Sequence, residues 1–211
     1  MGGSRVAESS VGPQKKKRKL ESVTCNQCGA DDTQLRYVVD GFRIVECKTC
    51  RLMYVNPRVA QSELKDIYSE SYYQNKNHQS YNEKFFSDYI GERKARTEEF
   101  ARKVEEIVSL LGPRRGRLLD IGCAAGFFLD AAREQGFKAE GVEISEFSSR
   151  YARDELGLKV HTGSLEEAQF PADSFDVVTA WDCVELCRIQ PLSFLRSSAS
   201  SKKEVGRLLK R

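Results

Sequence analysis

The stretch Arg-Leu-Leu-Asp-Ile-Gly-Cys-Ala-Ala-Gly at residues 117–126 constrains the fold of this chain more than any other. It joins an apolar strand to a turn that begins at Gly122 and ends at Gly126, and an apolar helix follows from Phe127. A strand, a tight glycine-containing turn and a helix in this order form the nucleotide pocket of open α/β sheets. The sequence therefore predicts an α/β fold with a nucleotide site at this turn.

The acidic residue Asp120 indicates which nucleotide derivative the turn accepts. A dinucleotide site places a pyrophosphate on such a turn, and a carboxylate there would repel it. The Gly-x-Gly-x-x-Gly spacing of dinucleotide sites is also missing between Gly122 and Gly126. A cofactor that has a cationic amino acid end and no phosphate would instead be attracted, and S-adenosylmethionine (SAM) is such a cofactor.

The rest of the C-terminal half alternates between strand and helix patterns. A long helix is predicted over 83–111, stopped by Gly112-Pro113. After it, the pattern predicts strands at 117–121, 138–143, 158–161 and 175–180, and helices at 126–135 and 146–155. Alternation of this kind predicts a parallel sheet with right-handed crossovers.

Four of the seven cysteines form two Cys-x-x-Cys pairs, Cys25 with Cys28 and Cys47 with Cys50. Between the pairs, two β-rich runs flank Asp40-Gly41, which is a strong hairpin signal. A hairpin would bring the pairs together as four thiolate ligands of one zinc ion. Because such a site leaves no ligand position open, its zinc would be structural.

The composition divides the chain into four predicted segments. They are a disordered basic tail (1–22), a zinc ribbon (23–56), a helical cap or linker (57–112) and a nucleotide-binding domain (113–211). No apolar run approaches the length of a membrane span, and no apolar segment follows the basic run Lys15–Lys19 as a secretory signal requires. We therefore expect a cytoplasmic protein with no membrane partner.

The motif Asp120–Gly126, together with 138–145 and 159–182, resembles the class I SAM-dependent methyltransferases, and the N-terminal part resembles their subset with a zinc ribbon. The resemblance implies a Rossmann-like sheet that binds SAM. It departs from the family at Ala124, where a glycine is usual, and at Ser164, where many relatives have an acid. It identifies no catalytic residue, because Leu186 stands where relatives often have histidine.

The same resemblance assigns the cofactor-binding residues. Asp120 would anchor the methionine amino group, and Glu143 would accept hydrogen bonds from both ribose hydroxyls. The backbone of the turn would approach the ligand closely. Ile144 would lie on the face of the adenine, and a loop after the third strand would contact the edge of the adenine. The turn residues are Gly122, Cys123, Ala124 and Gly126, the loop residues are Gly163, Ser164 and Leu165, and Asp182 would lie near the methyl group.

Three functions remain open from the sequence. The first is methyl transfer to a small molecule, the second is methylation of RNA, and the third is a non-catalytic zinc-ribbon module with an incomplete methyltransferase remnant. The net charge of +3 is weak for a nucleic-acid partner. The chain also ends before the three further strands that complete the sheet in relatives. We therefore expect a truncated domain whose strand at 175–180 is an open edge, available to a second copy or a partner chain.

Overall fold

The computed structural model describes residues 18–74 and 88–183. It contains two compact units: residues up to Cys25 together with Ala30–Glu63 form one, and Asn26–Gly29 together with the residues from Leu64 onward form the other. Within the described residues, no helix has both the length and the apolar character needed to cross a bilayer.

The first unit consists of two small antiparallel sheets. Strands β2 (Thr33–Val39), β3 (Phe42–Cys47) and β4 (Met53–Val55) form a three-stranded sheet in that order. The turn between β2 and β3 has positive φ at both Asp40 and Gly41, as a two-residue hairpin requires, which confirms the predicted hairpin. Strand β4 was not predicted.

A second pairing in this unit corrects the predicted extent of the N-terminal tail. Strand β1 (Leu20–Glu21) pairs antiparallel with β5 (Arg58–Val59), and the Arg58 guanidinium donates to the Glu21 carboxylate at 3.2 Å. The prediction of disorder is therefore wrong for residues 20–21, which a distant segment of the chain holds in place. Residues 1–17 lie outside the described residues.

The second unit contains the parallel sheet, with helices on one face. Its strands are β6 (Arg117–Ile121), β7 (Lys138–Glu143), β8 (Lys159–Thr162) and β9 (Val177–Ala180), and its helices are α1 (Leu64–Ile67), α2 (Glu70–Gln74), α3 (Arg93–Leu111), α4 (Phe127–Glu134) and α5 (Glu146–Asp154). The sheet order is β8-β7-β6-β9 and all pairings are parallel. This confirms the predicted Rossmann-like α/β class. Within the described residues, β9 is an edge strand.

Two apolar clusters cover the two faces of this sheet. Residues of α3, α4 and α5 pack with Leu118 in the larger cluster. Leu119 and Ile121, which point the other way along β6, pack with Leu165 and Phe175 in the smaller one. Asp120 therefore shares the face of Leu118, where the helices lie.

The predicted long helix begins later than expected, at Arg93. Residues 88–92 form a turn instead, in which the Asp88 carboxylate accepts a hydrogen bond from the Gly91 amide at 2.9 Å. A short polar side chain that bonds to the backbone competes with helix formation, which explains the later start. Residues 83–87 of the prediction lie outside the described residues.

Candidate cofactor site and cysteine cluster

Asp120 is a buried carboxyl at the carboxyl end of β6, with only 2% of its surface exposed. In the register of the sheet it lies opposite Thr179 on β9, whose hydroxyl donates a hydrogen bond to it at 2.7 Å. Burial raises the pKa of the Asp120 carboxyl to about 8, and the negative charge of Glu143 adds to the rise. A carboxyl held in this way stays protonated at neutral pH unless a cation arrives beside it.

Glu143 ends the neighbouring strand β7 and is also buried, with 4% exposed. One carboxylate oxygen accepts the backbone N–H of Ala124 in the glycine turn, and the other accepts that of Ser145, each at 2.8 Å. Burial raises the pKa of Glu143, and these backbone bonds oppose the rise. Since a carboxylate has about four acceptor positions, each oxygen retains capacity for another donor.

The turn between β6 and α4 depends on backbone conformations that favour glycine. Gly122 and Gly126 have φ of 69° and 82°, and Ala124 has φ of 48°. A side chain at Gly126 would collide with Leu158 and Ala152, so this glycine also lets α5 and the strand that follows it pack closely. The positive φ of Ala124 explains physically why glycine is usual at that position.

A layer of tyrosines packs beside the two acids. Tyr73 of α2 stacks at a tilt on Phe147, with ring centroids 6.3 Å apart. Tyr89 lies flat on Phe127, with ring centroids 5.5 Å apart. Burial raises the pKa of Tyr73 and of Tyr89, and the charge of Glu143 adds to each rise. The tyrosine hydroxyls therefore stay protonated and can act as hydrogen-bond donors.

The other predicted site residues fall into three groups according to where they lie, and the third consists of Asp182 alone. Cys123, Ile144 and Gly163 lie beside the two acids: the Ile144 amide lowers the pKa of the Glu143 carboxyl, and the Gly163 amide donates to the Glu143 carbonyl at 2.8 Å. Ser164 and Leu165 are engaged elsewhere, because Ser164 caps a turn through Glu167 and Leu165 belongs to the smaller apolar cluster.

Asp182 forms the third group. It is exposed and has φ of 53°.

Cys123 is buried, and burial raises the pKa of its thiol well above the ordinary value. The thiol is therefore unreactive and serves only as a packed side chain. The cofactor role of all these residues stays a prediction.

Sequence reasoning missed three contributors that reach the site from other elements. Thr179 was read only as part of a strand, although its hydroxyl contacts Asp120. Lys103 falls among the charged residues of the predicted helix, and Arg96 lies on the same helix, but their cationic groups lie over aromatic rings, Lys103 over Trp181 and Arg96 over Tyr89. A cation spaced to meet an aromatic residue on a distant element carries no local sequence signal. Leu186, at the position where relatives often have histidine, lies outside the described residues.

Replacing Glu143 with glutamine tests how the turn is held. Glu143→Gln is expected to lower the free energy of unfolding by about 1–3 kcal/mol. Glutamine has one acceptor oxygen where Glu143 uses two, so its amide group would face the N–H of Ala124 or Ser145. Urea denaturation measures the change, and Glu155→Gln, at the exposed end of α5, is the control. Equal stabilities of the two variants would contradict this description of the turn.

The four paired cysteines converge in the structure. Their sulfur atoms, on Cys25, Cys28, Cys47 and Cys50, all lie within 4.8 Å of one another, and the Cys25 and Cys50 sulfurs are 3.5 Å apart. Tetrahedral zinc with Zn–S bonds of about 2.3 Å separates its sulfur ligands by about 3.8 Å, so the cluster fits that ion.

The two cysteine turns have matching backbones. The amide of Cys25 donates to the Ala30 carbonyl, and that of Cys47 donates to the Leu52 carbonyl, so the bonded residues are five positions apart in both turns. The residue after the second cysteine has positive φ in both turns, 76° at Gly29 and 70° at Arg51. The two halves of the cluster are therefore built alike, as in a ribbon that presents paired thiolates to one metal.

Comparison with known proteins gives one family match. The model of a family described as a methyltransferase domain matches residues 92–210. This range includes Asp120, Glu143 and the whole parallel sheet.

Individual relatives match over shorter stretches. A ubiquinone biosynthesis O-methyltransferase of Bordetella avium is 32% identical over 111 residues, which are 49% of this chain and 46% of that protein. A nocamycin O-methyltransferase of Saccharothrix syringae is 40% identical over 93 residues, 39% of this chain and 33% of that protein. The chain thus spans less than half the length of these curated relatives.

Among solved structures, an amino pentose methyltransferase of Micromonospora echinaspora with bound SAM is 28% identical. The similarity covers 46% of this chain and 42% of that chain, with a TM-score of 0.37.

Proposed function

Because the chain belongs to the methyltransferase domain family, we propose that it binds SAM at the carboxyl ends of β6, β7 and β9 for methyl transfer to a small-molecule acceptor. The observation that carries this proposal is the pair of buried acids, Asp120 and Glu143, on adjacent strands around one glycine turn. Ligands of such sheets bind at this edge. Two carboxyls, with no phosphate-binding site beside them among the described residues, suit a cationic nucleoside.

The residues present fit SAM on three counts. Asp120 is a buried acid whose raised pKa a cationic ammonium group would relieve. Glu143 keeps acceptor capacity on both oxygens for a pair of hydroxyl donors. The intervening turn has positive φ at Gly122 and Gly126, where the absence of a side chain lets the backbone approach a ligand closely.

Catalysis in this proposal depends on alignment. SAM, when bound, supplies an electrophilic methyl group on a sulfonium sulfur. Asp120 fixes the amino acid end, Glu143 fixes the ribose, and the apolar packing of Phe127 and Phe128 behind the turn keeps these groups rigid. Rigid positioning of this kind accounts for much of the rate gain in a displacement reaction.

A small-molecule acceptor is favoured over RNA. Two relatives are named for small molecules, a ubiquinone biosynthesis O-methyltransferase and a nocamycin O-methyltransferase. A net charge of +3 gives the chain no strong field for phosphates. The small-molecule class is therefore the acceptor we propose.

We also propose that the cysteine cluster holds one structural zinc ion. Its four thiolates would complete the tetrahedral coordination, which leaves no position for a substrate. The ribbon would then fold around the metal without taking part in the chemistry.

The chain has one tryptophan, Trp181, immediately after β9 at the proposed site, so SAM binding is testable by fluorescence. We expect a saturable change in tryptophan emission on titration with SAM. Incubation with methyl-labelled SAM and either a small-molecule extract or total RNA then tests the acceptor, and label is expected in the small-molecule fraction. An unchanged emission together with no calorimetric heat would contradict SAM binding, and label confined to RNA would contradict the acceptor class.

A further inference from the structure

Lys103 of α3 is held in an unusual position for a helix lysine. Its ammonium lies 4.6 Å from the centre of the Trp181 ring and 5.0 Å from that of Phe100, and it pairs with Glu99 at 2.8 Å. Cation–π contacts and an ion pair together fix a group that is usually mobile in solvent. Its position beside Trp181 puts it at the carboxyl end of β9.

The positive charge of Lys103 acts electrostatically on Asp120, the acid at the start of the glycine turn. Burial raises the pKa of Asp120, and the positive charge of Lys103 opposes that rise. Lys103 is the cation that acts on Asp120 in this way among the described residues. An acidic group and a basic group therefore act on each other at this end of the sheet.

The indole of Trp181 supplies a second donor at the same place. Its Nε1–H is buried and has no hydrogen-bond acceptor within residues 18–74 and 88–183. A buried donor without an acceptor is rare in folded proteins and calls for an explanation. The residue after it, Asp182, has φ of 53°, so the chain leaves β9 in a conformation that favours glycine.

The amino acid end of SAM carries two charges, an ammonium and a carboxylate. Asp120 suits the ammonium but repels the carboxylate, which needs hydrogen-bond donors of its own. Building on the proposed function, we propose that Lys103 and the Trp181 indole N–H bind the carboxylate of the cofactor's methionine part. Lysine has three N–H donors, so it can keep its bond to Glu99 while it binds the carboxylate.

Decarboxylated SAM, which keeps the sulfonium and the amine but lacks the carboxylate, gives a direct test. Calorimetry should show that the wild type binds SAM at least about tenfold more tightly than the decarboxylated compound. Lys103→Met should weaken SAM by about tenfold or more and leave the affinity for decarboxylated SAM within about twofold. Trp181→Phe, which keeps a ring and removes the N–H, should shift the two affinities in the same sense by a smaller factor.

The matched control is Lys94→Met, the same substitution at an exposed position of the same helix, which should change neither affinity. Equal affinity of the wild type for the two compounds would overturn the inference without any variant. An equal loss for both compounds in Lys103→Met, with an unchanged unfolding transition, would overturn it as well. Binding of neither compound by the wild type would instead overturn the proposed function on which the inference rests.

Discussion

Asp120→Asn is expected to bind SAM at least about 30-fold more weakly than the wild type, because it removes the charge that faces the ammonium and changes little else. Asparagine has nearly the same shape and keeps the oxygen that accepts the Thr179 hydroxyl at 2.7 Å. Truncating one member of a buried charge pair costs about 2–5 kcal/mol, which sets the size of the expected loss. Calorimetric titration with SAM measures it.

The same substitution is expected to stabilise the protein without cofactor, and increasingly so as the pH rises. Below about pH 4 the Asp120 carboxyl is protonated in both the folded and the unfolded chain, so it adds no pH dependence. Between about pH 4 and the folded pKa of about 8, the unfolded chain releases the proton and the folded chain keeps it. The free energy of unfolding of the wild type therefore falls by about 1.4 kcal/mol for each pH unit relative to Asp120→Asn, and the difference is constant above pH 8.

These opposite effects distinguish a binding residue from a structural one. Asp154→Asn, at the exposed end of α5, is the matched control and should leave the SAM affinity unchanged. A variant at Asp120 that loses stability and affinity together would indicate that the carboxyl only supports the fold. Unchanged affinity would remove Asp120 from the site.

The second large effect is expected at the cysteine cluster. Cys47→Ser should lose the zinc ion and unfold the ribbon, since the apparent binding free energy of a structural zinc is on the order of 10 kcal/mol. The ribbon has few other buried apolar residues: Cys25 and Cys47 are 1% and 0% exposed and are joined by Val45 and Ala60. Its larger side chains are exposed, namely Leu35, Tyr37, Val38, Val39, Phe42 and Met53. We therefore expect a unit with so small a core to depend on the metal for folding.

Metal analysis and hydrogen exchange of the amides of β2–β4 measure this effect. The wild type should contain one zinc per chain and protect these amides, and a chelator should remove both properties. Cys183→Ser is the matched control, because it makes the same change at a cysteine outside the cluster, and it should retain the zinc. A metal-free wild type with protected ribbon amides would contradict the structural zinc.

The sequence predicted the fold well where the pattern was local. The bounds of β6 and β7 agree with the prediction, because apolar runs between turn residues define them. Strands β1, β4 and β5 have two or three residues each and are held by pairing with other segments, so no local pattern indicates them. Predicted boundaries also moved where a side chain bonds to the backbone, as Asp88 does before α3.

The site could be predicted as far as topology determines it. The carboxyl ends of adjacent parallel strands meet at one edge, so Asp120 and Glu143 could be placed together from the strand pattern. The bond of Thr179 to Asp120 depends on which strand neighbours β6, and the position of Lys103 depends on how α3 crosses the sheet. These are tertiary facts, and a single sequence gives no pattern for them.

The central claim is that the buried carboxyl at the start of the glycine turn selects a cationic sulfonium nucleoside over a phosphate-bearing dinucleotide. Calorimetric titration of the wild-type chain with SAM and, separately, with NAD tests it most directly. We predict saturable binding of SAM and no heat from NAD, with the SAM signal weakened in Asp120→Asn. Binding of NAD without binding of SAM would contradict the account.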